Sequence, residues 1–95
     1  MPLAPDHAIS EFEKKTNLGP KSAAILTAAG IHSMEHLTML GSVVAFTMAK
    51  RTGARVSLNL LWAIEGAITG ESWQTIAREH RASLLLALES YEMDS

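Results

Sequence analysis

Residues 57–70 read SLNLLWAIEGAITG, a run that is apolar on nearly every face except at Asn59 and Glu65. A helix of that composition has no side to turn toward water, so it belongs at the centre of a domain, enclosed by its neighbours. Ser57 is placed as its N-cap and Gly70 as its C-terminal stop. The flanking sequence agrees with an all-α domain. Glycine and serine punctuate the chain, and the segments between them carry helical rather than alternating periodicity.

Working outward, residues 1–6 are Pro-rich and are expected to be a flexible N-terminus, while HAISEFEKKT, with Ile9 and Phe12 three apart, predicts a short amphipathic helix over 7–16. Pro20 suits the first position of a second helix, where its missing N–H costs little, and that helix runs through Ala-rich sequence to Ala29 before Gly30. Ser33 caps a third helix that Gly41-Ser42 kinks and that continues to Gly53. Beyond the central helix, Ser72-Trp73 opens a turn into a last helix whose Ile76, Ala77, Leu84, Leu85, Leu88 and Tyr91 fall on or near one stripe. The expected architecture is a compact five-helix domain over 7–91, with the third helix broken and a frayed tail over 92–95.

A chain of 95 residues with 47% apolar side chains supports one core. Eight Lys and Arg against ten Asp and Glu give a formal charge of -2, so nucleic acid would have to be held by a local patch rather than by bulk charge. The absence of cysteine removes disulfides, thiolate metal sites and cysteine nucleophiles together. Neither a signal peptide nor a run approaching the roughly 20 apolar residues of a membrane span is present, which predicts a cytoplasmic protein with no membrane partner.

Catalytic signatures are missing as well: there is no phosphate-binding P-loop, dinucleotide fingerprint, H-E-x-x-H pair or nucleophile elbow. The expectation is a non-enzyme without a cofactor. His32 and His36 are four apart, but Ser33 falls between them as the expected cap, so no metal site is assigned; His7 and His80 are more isolated still. Glu65 is the one acid placed to be buried, and a Lys or Arg partner, or a backbone N–H that it caps, is expected for it. Phe46, Trp62 and Trp73 lie in apolar helical contexts and are assigned to the core. Only an exposed Trp would reopen a base-stacking role.

The sharpest local signal is Asn17-Leu18-Gly19, followed by Pro20, Lys21 and Ser22. A phosphate-gripping hairpin needs a tight turn whose N–H groups converge with a helix N-terminus, and Asn is the non-glycine residue that best tolerates the left-handed conformation. Lys21 and Ser22 then fall in the first helical turn, and Lys14 and Lys15 add charge nearby. Lys50, Arg51 and Arg55 form a secondary basic patch, or simply complement the negative end of their helix. The bland alternative is a packing hairpin that holds no anion.

NLGPKSAAILTAAGIHSMEHLTMLGSVVAF (17–46) and SLNLLWAIEGAITGESW (57–73) resemble the C-terminal domain of the TfoX/Sxy competence regulators over about Asn17–Leu88. The shared blocks are the N-L-G-P-K-S turn, a G-I then an E-x-L step, and the L-N-L-L-x-A-x-E-G-A helix. Asn17 to Ser22 match the family hairpin, and Asn59, Trp62, Glu65 and Gly66 match the core-helix block. The resemblance implies an all-helical, helix-hairpin-helix-like domain tied to transcription regulation of natural competence and transformation. Full-length members carry a further N-terminal domain, so their whole activity does not transfer directly. The turn is also similar to the N-L-G-x-K-S segment in the C-terminal domain of the α chain of bacterial RNA polymerase.

Two functions follow. In one the domain binds the DNA backbone weakly and non-specifically through Asn17, Leu18, Gly19, Lys21 and Ser22 with Lys14 and Lys15. In the other it docks a regulatory protein or a second copy of itself, and the hairpin is structural.

Overall fold

The computed structural model describes residues 18–94. The expected flexible start, the helix over 7–16, and Lys14, Lys15 and Asn17 lie outside the described residues. Within them the chain is all-helical and has no strand: α1 is Pro20–Ala28, α2 Met34–Leu40, α3 Ser42–Arg51, α4 Leu58–Thr69, α5 Trp73–Glu79 and α6 Arg81–Asp94.

Helix α1 starts at Pro20 and ends in a Schellman arrangement. Gly30 N–H donates to Thr27 O at 3.0 Å and Ile31 N–H to Leu26 O at 3.0 Å, with Gly30 at φ 93°. The two side chains that bracket this motif, Leu26 and Ile31, are fully buried, so the stop also delivers the chain into the core. Ser33 and Ser72 cap α2 and α5 through their hydroxyls, which accept from His36 N–H at 3.0 Å and Thr75 N–H at 3.2 Å.

Helix α4 fills the centre. Leu60, Leu61, Trp62, Ala63, Ile64, Gly66 and Ala67 are all buried, and α2, α3 and α5 pack against it. Arg81, at the start of α6, places its guanidinium 5.8 Å from the Trp62 ring centroid, which ties α6 to the same core through a cation–π contact. Helix α3 bridges the rest, packing against α1, α2, α4 and α6.

The described residues form six helices where the sequence predicts four of its five, the remaining one, over 7–16, lying outside them. The expected kink at Gly41 is a full break, because Gly41 adopts φ 83°, ψ 162°, from which no helix continues. The expected single last helix divides at His80, whose φ of -118° leaves the helical region. His80 N–H ends α5 on Ile76 O, and His80 O accepts Leu84 N–H at 3.1 Å to open α6. A contact from His80 Nε2 to Glu71 Oε1 at 3.2 Å ties this corner back to the α4–α5 turn. No described helix is long and apolar enough to cross a membrane.

A methyl group added at Gly41 meets nothing within 4 Å, so its cost is conformational alone. Gly41→Ala is expected to lower stability by about 1–3 kcal/mol in urea unfolding with an unchanged m-value. A variant as stable as the parent would show that this break does not need glycine.

Candidate nucleic-acid interface

Helix α1 packs chiefly on α3 rather than on α4. The gap left between α1 and α4 is an open groove of about 320 Å³. Its lining comes from three places: Lys21, Ser22 and Ile25 of α1; Arg55, Val56 and Ser57 of the loop before α4 with Asn59, Leu60 and Ala63 of that helix; and Trp73 at the start of α5. Leu60 and Ala63 are buried and form an apolar floor, whereas Lys21, Arg55, Ser57, Asn59 and Trp73 are exposed at the rim.

Both helices present their first turns to this groove, and neither start is closed by a side chain. Gly19 has none to offer, and the Ser57 hydroxyl makes no capping bond to α4. In α1, Pro20 has no N–H, so the orphan donors of the first turn are those of Lys21 and Ser22. Neither Lys21 nor Arg55 takes part in an ion pair among the described residues. Both side chains are exposed and line the groove, where an anion gains from both cations and from the helix dipoles.

The structure regroups the basic residues that the sequence suggests. Arg55 joins Lys21 and Ser22, although the whole of α2 and α3 lies between them in the chain. Lys50 instead contacts Glu92 of α6 at 3.1 Å, and neither it nor Arg51 lines the groove. Leu18 is 3% exposed, so its side chain anchors the turn in the core. The loop that carries Arg55 is pinned at its start: Thr52 Oγ1 donates to Ala49 O at 2.7 Å and accepts Ala54 N–H at 3.3 Å.

Glu65 has a partner of a different kind from the Lys, Arg or backbone N–H expected. Ser42 Oγ donates to Glu65 Oε1 at 2.7 Å, and Ser42 is the buried first residue of α3, so the carboxylate faces the positive end of that helix. His32 precedes α2 and His36 lies within it, with Ser33 between them as its cap. Among the described residues no three His, Cys, Asp or Glu side chains group together. Phe46 and Trp62 are buried, as their contexts predict, but Trp73 is 39% exposed. Trp73, Arg55 and Asn59 are thus the groove residues whose proximity to Lys21 no local pattern announces.

The profile of the TfoX C-terminal domain family matches residues 10–88. The chain therefore belongs to the TfoX C-terminal domain family. Comparison with curated proteins and with solved structures gave no match.

A charge-assisted hydrogen bond such as that from Ser42 to Glu65 is worth about 1.5–3 kcal/mol. A double-mutant cycle of Ser42→Ala and Glu65→Ala in urea unfolding is expected to give a coupling energy of about 1 kcal/mol or more. Strict additivity would mean that the bond does not join α3 to α4 energetically.

Proposed function

We propose that this domain is a non-enzymatic regulatory module of the TfoX type, acting in the cytoplasm in control of natural competence, and that it contacts the DNA backbone non-specifically. The observation that carries this reading is the presence of Lys21 and Arg55 in one groove, with no acidic side chain among the described residues that line it. A helix-hairpin-helix turn over Asn17–Ser22 supplies the remaining parts: backbone N–H groups at the start of α1, the Ser22 hydroxyl, and the added charge of Lys14 and Lys15. Because contacts are few, affinity is low and depends steeply on salt.

The test is fluorescence anisotropy on a random duplex across a salt series. Each neutralised phosphate contributes about -0.9 to the slope of log affinity against log salt. Lys21→Ala and Arg55→Ala should each flatten the slope by about that amount, while Lys50→Ala, at a residue engaged with Glu92, should leave it unchanged. Absence of saturable binding at low salt, or a slope indifferent to Lys21 and Arg55, rejects the reading.

A second reading has its own observation. Leu86 and Met93 of α6 are 66% and 79% exposed and seven residues apart, on one side of the helix. This supports docking of a regulatory protein or a second copy, with the hairpin as scaffold.

A further inference from the structure

Trp73 gives the groove a chemistry that a bare phosphate site does not need. Of the three aromatic side chains considered for stacking, Phe46 is 4% and Trp62 2% exposed, whereas Trp73 is 39% exposed and lines the groove with both cations. Its position is fixed by the turn before it. Gly70 ends α4 in the left-handed conformation, and Ser72, whose hydroxyl accepts Thr75 N–H, sets Trp73 as the first residue of α5.

The groove's size and layering narrow the ligand further. A volume of about 320 Å³ lies at the small end of ligand sites, which suits one small planar group with its substituents and not an inserted helix or a double strand. The floor of Leu60 and Ala63 and the half-buried Ile25 and Val56 are apolar. The rim offers hydroxyls from Ser22 and Ser57 and the Asn59 amide, which can both donate and accept. A paired nucleotide shows its phosphate but keeps the faces of its base inside the stack. An unpaired one can present phosphate and base face together, the combination that single-strand binders meet with a basic groove and an aromatic ring.

We propose that the groove takes one unpaired nucleotide of single-stranded DNA, with its phosphate between Lys21 and Arg55 and its base against Trp73. This rests on the DNA reading above and adds a preference for single strands over duplex. Base stacking tolerates every base, so sequence preference is weak.

The experiment titrates the protein at one low salt concentration with an oligothymidylate of about ten nucleotides, within the usual span of such sites, and with a duplex of equal length. Anisotropy and intrinsic tryptophan fluorescence are followed together. The single strand should bind about tenfold more tightly than the duplex and quench the fluorescence. Trp73→Ala should weaken single-strand binding by about 5- to 150-fold, the range that base–aromatic stacking implies, and change duplex binding by less than about twofold. Trp73→Phe, which keeps a ring and guards against a folding defect, should retain most of the single-strand affinity and lose most of the quench. Equal affinity for both nucleic acids, or single-strand affinity indifferent to Trp73→Ala, overturns the inference while leaving backbone binding intact. Failure of the parent protein to bind either one overturns both.

Discussion

Between Leu60 and Ala67, α4 buries every residue but Glu65, so the chain must supply cover on all sides of one cylinder. Helices α2, α3 and α5 provide most of it, and Arg81 closes over Trp62. Such cover demands sharp changes of direction from short helices, which is why Gly41 and His80 break what would otherwise be continuous segments. Helix α1 reaches the core by way of α3, leaving the first turn of α4 uncovered on that side. The groove is the consequence: an apolar floor that belongs to α4 and a rim that Asn59 of α4 shares with α1, the loop before α4 and α5.

The same packing explains why a chain of net charge -2 can present a positive site. Among the described residues, four acids are engaged elsewhere: Glu71 with His80, Glu79 with Arg78, Glu92 with Lys50 and Glu65 with Ser42. The exposed ion pairs among them, Glu79 with Arg78 and Glu92 with Lys50, add little to stability. No acid among the described residues lines the groove, where a single carboxylate would neutralise half of the charge that Lys21 and Arg55 supply.

Local chemistry made much of the fold legible. Pro20 and Gly30 mark the ends of α1, Ser33 caps α2, and the unbroken apolar run around Trp62 identifies the central helix, because each effect acts within one helical turn. The division at His80 was not legible, since no glycine or proline marks it and the residue that holds the corner, Glu71, lies nine positions back. The site divides in the same way. Lys21 and Ser22 follow from the turn that precedes them, whereas grouping Arg55 with Lys50 and Arg51 by adjacency fails once the chain leaves α3 at Gly53 and carries Arg55 to the α1 side. Trp73 shows the limit most clearly. Its assignment to the core passes over the polar neighbours Glu71, Ser72, Gln74 and Thr75, and the first position of a helix that packs beside α4 leaves its ring at the rim.

If α1, the loop before α4 and the start of α5 form one ligand surface, their amides must respond to a ligand together. The most direct measurement is a titration of the ¹⁵N-labelled protein with single-stranded oligonucleotide, followed by amide chemical shifts. Concerted shifts are expected at residues 19–25, 55–60 and 72–73 with a single apparent affinity, and little change along α6. Shifts confined to α6 around Leu86 and Met93, or scattered over the surface without saturation, would contradict a shared surface.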